Sequence, residues 1–293
     1  ARWWQRNSER VALGSMLLPY LIGLALLVIG PGLAGFALSL TDCNAIQSPN
    51  WAGLNNFRRL PHDHIFRIAV FNSLLYIVLA VPLRLIGALV LARFLQRPSR
   101  SSLIGRAIVY LPTVIPDLAW ALIWLWILNP LYGPLNHLLA LMGLPLPTWL
   151  TDPTSARLAI IIMLVFQMGE GFLVLLAGLH NTPQVYYEAA RMDGASAWQI
   201  LWRITLPLLL PWILLLTCRD ILASLQATFT PTYILTYGGP YYATMFFPLL
   251  IYELSFDFVD YGLASALLVM MYALMALLIV AILRLARAGG VDV

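Results

Sequence analysis

Six long apolar runs constrain the fold of this chain more than any other feature of its sequence. Each reaches roughly the 20 residues that a helix needs to cross the hydrocarbon core of a bilayer. Backbone groups have no water to bond in lipid, so these runs are expected to be helical, with kinks at their internal prolines. The expected spans are Leu13–Leu40, Ile68–Ala92, Ala107–Leu128, Ala156–Leu179, Leu206–Phe229 and Tyr261–Leu283. The sequence therefore predicts an all-α polytopic membrane protein, with six transmembrane helices in a single domain over residues 1–293.

Composition and charge agree with a membrane location and exclude a nucleic-acid-binding protein. Hydrophobic residues make up 61% of the chain and charged residues 10%, whereas soluble domains are about 45–50% apolar and about 25% charged. Lysine is absent, and the arginines flank the apolar runs instead of forming one patch. Eleven arginines lie in loops on one side of the expected membrane and four on the other. Because cytoplasmic loops carry the excess of basic residues, we expect both termini in the cytoplasm and the chain in the inner (plasma) membrane.

The loop between the fourth and fifth runs is the most informative segment. Thr182 followed by Pro183 is typical of a helix start, since a threonine hydroxyl caps free N–H groups and proline is favoured in the first turn. Gly194 is expected to end this helix, because a residue without Cβ takes a positive φ without strain. Ser196 and Gln199 have the spacing of a capping box, which predicts the start of a second helix.

These two short helices are expected to lie at an angle to each other, outside the membrane, within residues 180–205. Val185, Ala189 and Met192 recur at helical spacing, so the first helix presents an apolar face. Such a helix either lies on lipid headgroups as an interfacial connector or docks against a partner protein. Helix physics alone leaves both interpretations open.

The order of residues in this loop resembles the EAA loop of permeases in ATP-binding-cassette importers. The matching positions are Glu188, Ala189, Ala190, Asp193, Gly194, Ile204, Leu206 and Pro207. The resemblance implies a type I ABC importer permease fold, in which this loop forms a coupling helix that docks in a cleft of a cytoplasmic ATPase. The residues then expected to couple to the ATPase are Tyr187, Glu188, Ala189, Ala190, Arg191, Asp193, Gly194 and Ala195.

The resemblance covers nearly the whole chain and points to the carbohydrate-uptake branch of these importers. The similar segments are Trp51–Phe57, Asn72–Ser73, Leu111–Pro112, Trp149–Pro153, Gly238–Pro240 and Gly262–Ala266. Together they are similar to the maltose-, trehalose- and glycerophosphate-type permeases that come first in such heterodimers. Residues 224–231 depart from the F-x-x-F-D pattern of those relatives, so the resemblance does not specify the sugar.

The same resemblance implies a mechanism and a set of partners. A periplasmic or lipid-anchored binding protein would deliver a di- or oligosaccharide, or a related polyol glycoside, to a cavity between this chain and a second homologous permease. Two ATPase subunits, which bind ATP and magnesium, would drive alternating access. The sequence contains no Gly-x-x-x-x-Gly-Lys loop and no grouping of catalytic or metal-ligating residues. We therefore expect that this chain is not an enzyme and holds neither a cofactor nor a metal.

Polar residues within the spans are the candidates for a substrate path, since a charge at the bilayer centre costs roughly 2.5–3.5 kcal/mol and should face an interior or a partner. The candidate substrate-binding residues are Gln167, Glu170, Ser224, Gln226, Thr228 and Tyr233. Gln167 and Glu170 are expected one helical turn apart on one face of the fourth span. The other interpretation of Glu170 is an ion pair with Arg219 that fixes helix packing, and Arg84 is interpreted as structural.

Two other classes of protein are open alternatives. An ion-coupled secondary transporter would use Glu170 or Asp220 as its coupling carboxylate, but such transporters usually contain an inverted repeat, which this sequence does not show. An intramembrane enzyme would need a nucleophile, a base or metal ligands facing each other in the spans, and no such arrangement is evident.

Overall fold

A computed structural model describes residues 2–44, 46 and 48–289, and among these residues the regular structure is helical, with only isolated bridges between extended residues. The α-helices are α1 (Arg2–Leu24), α2 (Gly30–Ser39), α3 (Asn55–Arg59), α4 (His64–Leu95), α5 (Arg100–Val114), α6 (Asp117–Ile127), α7 (Pro134–Leu141), α8 (Pro153–Val165), α9 (Gly169–Asn181), α10 (Gln184–Met192), α11 (Ala197–Ile200), α12 (Leu206–Ala227), α13 (Phe229–Leu235), α14 (Phe247–Tyr252) and α15 (Tyr261–Ala288). Short π-helical segments connect α1 to α2 and α11 to α12, and a third follows α14.

Four of the expected spans are long, continuous helices. Their bounds are Gly14–Ser39, His64–Leu95, Ala197–Leu235 and Tyr261–Ala288. The third and fourth expected spans are instead pairs of shorter helices, α5 with α6 and α8 with α9, and each pair is long and apolar enough to cross a membrane when it is counted as one span. The all-α membrane architecture is therefore confirmed, whereas the number of spans lies between four and six by length and composition.

The two broken spans correct the expectation of continuous helices with kinks. Between α5 and α6 the chain bends by 104°, because Ile115 is extended at φ −71° and ψ 129° and Pro116 follows at ψ 140°. A proline disfavours the helical conformation of the residue before it, which explains why this helix ends there. The bend between α8 and α9 is 46° and leaves Phe166, Gln167 and Met168 in a turn.

The chain forms two compact units, one of residues 1–62 with 251–270 and the other of residues 63–250 with 271–293. In the first unit, the side chain of Asn56 is buried and its Nδ2 donates to the carbonyls of Ser39 at 3.0 Å and Thr41 at 2.7 Å. This amide therefore fixes the chain just after α2 to the start of α3. Asn56 belongs to the Trp51–Phe57 segment, one of the segments that carry the family resemblance, and its role in this chain is structural.

In the second unit, α4 is the central helix and packs against α8, α9 and α12. The buried core here consists of Ala88, Ala92, Phe172, Leu175, Leu176, Leu179, Leu209 and Leu216. Small residues allow the helices to approach closely, as is common in membrane bundles. At Gly178, for example, a Cβ atom would lie only 2.8 Å from Cδ2 of Leu209.

Side-chain caps mark the helix starts in the connecting segments of the second unit. Asp152 caps α8, and its Oδ2 accepts hydrogen bonds from the backbone N–H groups of Thr154 at 3.1 Å and Ser155 at 3.0 Å. The hydrogen bonds that Ser155 donates from its backbone N–H and its hydroxyl are the main reason why the pKa of Asp152 lies below its usual value. Nearby, Asn136 accepts a 2.7 Å hydrogen bond from the indole of Trp149.

Candidate functional site

The loop between α9 and α11 contains a helix whose C-terminal end is tightly fixed. Gly194 has a φ of +75°, as predicted. Its N–H donates to the Arg191 carbonyl at 3.0 Å, and the N–H of Ala195 donates to the Ala190 carbonyl at 2.9 Å. These two bonds form a Schellman motif, which satisfies carbonyls that a helix end leaves free.

The start of α10 differs from the prediction. Thr182 does not cap it, because this residue is buried and its hydroxyl donates to the Gly178 carbonyl, one turn back in α9, at 3.1 Å. Pro183 lies at the N-cap position of α10, not inside its first turn, and provides no side-chain cap. The predicted threonine cap is therefore wrong. The threonine instead belongs to the end of the preceding helix.

The predicted capping box is confirmed, but the helix it starts is longer than expected. The Ser196 N–H donates to Gln199 Oε1 at 2.8 Å, and the Gln199 N–H donates to Ser196 Oγ at 3.3 Å. The helix then continues through α12 and α13, giving one helical segment from Ala197 to Leu235. The expectation of two short helices is therefore correct only for α10, because the second is the first turn of the fifth span.

The predicted apolar face of α10 points away from its own chain. Val185 is 69% exposed and Met192 is 88% exposed, and Glu188 and Ala189 are also exposed. No residue of α10 is fully buried within the described part of this chain. The apolar face is therefore free for a partner or a lipid surface.

Four charged side chains form a connected network between α4, α9 and α12. Arg84 Nε lies 3.8 Å from Asp220 Oδ2, and both side chains are buried. Arg84 also donates from Nη2 to the Gln167 carbonyl at 3.1 Å. Asp220 accepts a hydrogen bond from Arg219 Nη1 at 3.0 Å, and Arg219 also forms an ion pair with Glu170. The Glu170–Arg219 pair is thus present, as the structural interpretation of Glu170 proposed.

The predicted substrate residues on α12 divide between two faces of the helix. Ser224 and Thr228 are fully buried, and their hydroxyls have no hydrogen-bond partner among the described residues. Gln226 lies on the opposite, exposed face. Arg219 is half-buried and precedes Gln226 by seven residues, which places both on the same side of the helix. Only this second face is open to a molecule outside the chain.

The remaining predicted substrate residues lie at the break in the fourth span and on α13. Gln167 is in the turn between α8 and α9, whereas Glu170 is in the first turn of α9. The expectation that these two residues share a face of one helix is therefore wrong. Tyr233 is half-buried and stacks on Phe229, with ring centroids 5.5 Å apart and an interplanar angle of 29°.

Two buried polar groups have structural roles that the sequence did not specify. Asn72 Nδ2 donates to the carbonyls of Tyr242 at 3.0 Å and Met245 at 2.9 Å, and Ser73 Oγ accepts from the Phe247 N–H at 3.2 Å. Both residues belong to the Asn72–Ser73 segment, which resembles the importer permeases but for which the sequence predicted no role. Polar residues at an otherwise apolar position of a span are the signal that identifies such contacts.

Comparison with known proteins agrees with this architecture. Residues 84–288 match the family described as binding-protein-dependent transport system inner membrane component. A probable ABC transporter permease of Bacillus subtilis, YesP, is 32% identical over 93% of this chain and 89% of its own length. The trehalose/maltose transport system permease MalF of Thermococcus litoralis is 32% identical over 93% of this chain and 92% of its own length.

A solved structure shows the same fold. It is a chain of the bacterial alginate ABC transporter in complex with its alginate pentasaccharide-bound periplasmic protein, with a TM-score of 0.82, 24% identity and coverage of 98% of both chains. With the family match over residues 84–288, this chain belongs to the family of binding-protein-dependent transport system inner membrane components and is an ABC transporter permease.

Proposed function

We propose that this chain is one of two homologous permease subunits of an ATP-driven importer that takes up a sugar or a related glycoside. The Thermococcus litoralis relative transports trehalose and maltose by its name, and another relative, at 31% identity over 98% of this chain, is named for sulfoquinovosyl glycerol. The other subunits are a second permease, two ATPase subunits that bind ATP and magnesium, and a periplasmic or lipid-anchored binding protein. The charge distribution supports cytoplasmic termini, with the α10 loop on the ATPase side.

The exposed apolar face of α10 is the observation that carries this proposal. Val185, Ala189 and Met192 make no buried contact within the described chain, so they are available to a cleft in an ATPase subunit. The coupling residues predicted from the EAA resemblance lie on α10 and in the turn that follows it. Burial of such a face on a partner is favourable by roughly 25 cal/mol per Å² of apolar area.

The geometry of the loop suits the transmission of force. Asp193 to Ser196 are the only residues between α10 and the next helix, and hydrogen bonds fix this turn on both sides. The Schellman motif at Gly194 holds the end of α10, and the Ser196 capping box holds the start of the helix that follows. A displacement of α10 by the ATPase would therefore move the fifth span directly.

The open face of α12 is the surface that suits a sugar. Gln226 and the Glu170–Arg219 pair offer hydrogen-bond donors and acceptors, and Tyr233 offers an aromatic ring. Sugars need both kinds of contact, because they combine hydroxyl groups with flat apolar ring faces. Ser224 and Thr228 are sealed behind this surface, so we assign them to helix packing and not to substrate contact.

Purification of the assembly tests the coupling role of α10. A tagged wild-type chain should retain a second permease and two ATPase copies, identified by mass and by ATP hydrolysis. The variant Met192→Asp should reduce the retained ATPase roughly tenfold or more, because it places a charge in an apolar contact. Met142→Asp is the matched control, since Met142 is also an exposed methionine at the end of a short helix, α7.

Equal retention of ATPase by Met192→Asp and wild type would contradict docking through this face. Loss of ATPase from both methionine variants would indicate a general effect of the new charge. The ion-coupled alternative predicts sugar uptake by the chain without any ATPase. It gains no support from Asp220, whose carboxylate is already paired with Arg84 and Arg219.

A further inference from the structure

A basic cavity lies behind α10, between this helix and the ends of α4 and α9. Its volume is about 550 Å³, which is within the usual range of about 300–1,000 Å³ for small-ligand sites. The basic side chains that line it are Arg93, Arg97, Arg191 and His180. None of its lining residues is acidic.

The three arginines of this cavity have no counter-charge in the part of the chain that the structure describes. The guanidinium groups of Arg93, Arg97 and Arg191 form neither an ion pair nor a hydrogen bond with another described residue. Glu188 is three residues from Arg191, but these two side chains are not within ion-pair distance in the described structure. Arg93 is half-buried, so water screens its charge less than that of an exposed arginine.

Backbone carbonyls at the end of α4 already have donors from other residues. Arg106 donates to the Leu95 carbonyl at 2.8 Å and to the Gln96 carbonyl at 3.2 Å. His180 contacts the same Gln96 carbonyl through Nε2 at 3.2 Å and the Leu176 carbonyl through Nδ1 at 2.9 Å. The cavity therefore presents uncompensated guanidinium groups on a wall that is held in place by these bonds.

We propose that this cavity binds a phosphate-bearing anion. Guanidinium groups bind phosphate oxygens in pairs of parallel hydrogen bonds, and three of them around one cavity favour an anion with several oxygens. The cavity lies at the ends of two spans on the arginine-rich side, which is the depth of lipid headgroups. An anionic phospholipid headgroup and free inorganic phosphate are two sources of this chemistry.

An anion in this cavity would affect how α10 couples to the ATPase. This effect rests on the proposed function of α10. Arg93 lies in the last turn of α4 and Arg97 follows its C-cap, whereas Arg191 belongs to α10. An anion bound to both groups ties the coupling helix to its own chain. Tyr187, on the same side of α10, also lines the cavity, so this side of the helix faces the ligand while Met192 faces the partner.

Lipid retention by the purified complex tests the site. We expect the wild-type complex, delipidated and then mixed with equal amounts of phosphatidylglycerol and phosphatidylcholine, to retain phosphatidylglycerol preferentially in native mass spectrometry. The double variant Arg93→Gln with Arg97→Gln should retain roughly tenfold less, because two charge-assisted contacts are lost. Arg203→Gln is the control, since Arg203 is an exposed arginine on the same arginine-rich side of the chain that does not line the cavity.

Competition with inorganic phosphate distinguishes a lipid headgroup from free phosphate as the ligand. If inorganic phosphate binds the detergent-purified complex and displaces phosphatidylglycerol in the wild type but not in the double variant, the site stands and its ligand is free phosphate. If phosphatidylglycerol is retained against millimolar phosphate, the ligand is the lipid headgroup. The variant Arg93→Lys with Arg97→Lys keeps the charge and should keep part of the binding, which separates loss of the site from misfolding.

The proposal is overturned if the double glutamine variant, assembled normally, retains as much phosphatidylglycerol and phosphate as wild type. It is also overturned if that variant loses ATPase subunits while its anion binding is unchanged, because the arginines then contact the partner. These binding measurements need no transport. Sugar uptake by wild-type proteoliposomes tests the proposed function separately, and failure there leaves the anion result intact.

Discussion

Arg84, on the second span, and Asp220, on the fifth, form an ion pair in which their side chains are only 9% and 4% exposed. Charges at this depth are costly unless they are paired, and the pair therefore joins two spans at a point where apolar packing alone would be less specific. Arg219 adds a second cation beside the same carboxylate. Asp220 is thus the central residue of this network.

Removal of one partner from this network should be far more harmful than removal of both. Asp220→Leu leaves Arg84 buried without a counter-charge and should destabilise the chain by about 3–5 kcal/mol. The double variant Arg84→Leu with Asp220→Leu should recover most of the lost stability. Thermal unfolding of the purified complex checks this, and a double variant that is less stable than Asp220→Leu would contradict a pairing role.

The two faces of α12 predict different effects on sugar uptake. Gln226→Ala should raise the KM for uptake roughly tenfold, since a hydrogen bond to the sugar is lost on the open face. Ser224→Ala, two residues away on the buried face, should leave KM unchanged because the Ser224 side chain is fully buried within the chain and does not reach the open face. Initial uptake rates over a range of sugar concentrations measure both values. A raised KM for Ser224→Ala alone would reverse our assignment of the faces.

Gly194 and Gly143 offer a matched test of the coupling loop. Both glycines have a positive φ, +75° and +67° respectively, and both have open space where a Cβ would lie. Both also end a helix with the same pair of Schellman hydrogen bonds. Alanine should therefore strain each site by a similar amount, about 1–2 kcal/mol.

Only Gly194→Ala is expected to reduce the amount of sugar imported per ATP hydrolysed, because only this cap belongs to the loop that we propose docks on the ATPase. Gly143→Ala should lower stability to a similar extent without altering the ratio of uptake to hydrolysis. Parallel assays of uptake and phosphate release in proteoliposomes measure this ratio. A similar change in the ratio for both variants would show that the effect comes from helix stability in general.

Glu253, which follows α14 outside the expected spans, predicts a pH dependence of stability. Partial burial, with a smaller contribution from Asp257, raises the pKa of Glu253 above its usual value. The folded state then favours the protonated carboxyl, so stability falls as pH rises from the usual glutamate pKa through the raised one. Glu253→Gln should raise Tm at neutral pH and have little effect at acidic pH. Identical pH profiles of Tm for the two proteins would exclude this contribution.

Local signals in the sequence identified much of the structure of the loop between α9 and α12. Gly194 and the Ser196–Gln199 pair act through hydrogen bonds within a few residues, so their spacing alone indicates the caps. Thr182 was assigned to the wrong helix because a threonine hydroxyl can bond forward to free N–H groups or back to a carbonyl one turn earlier. Which of these two bonds the Thr182 hydroxyl forms depends on where α9 ends, and the apolar pattern of the sequence does not define that end.

Long-range relationships were harder to predict. Pro116 indicated a kink, but its 104° bend depends on the packing of α5 and α6 against other helices. The Glu170–Arg219 pair was one of two interpretations, and the partner of Arg84 was not identified. Several opposite charges in different spans give several possible pairings, and only the packing of α4, α9 and α12 selects one. The sequence also did not show which face of α12 is buried and which is open, because apolar residues occur all around this helix.

The helical segment from Ala197 to Leu235 contains 39 residues and is therefore about 58 Å long, nearly twice the roughly 30 Å of a bilayer core. The coupling turn precedes one end, and the stacked rings of Phe229 and Tyr233 lie near the other. Because the helical segment is continuous from Ala197 to Leu235, a displacement of its first turn is passed along the backbone toward these rings. In the function proposed above, the nucleotide state of the ATPase would then reach the sugar through one continuous helix.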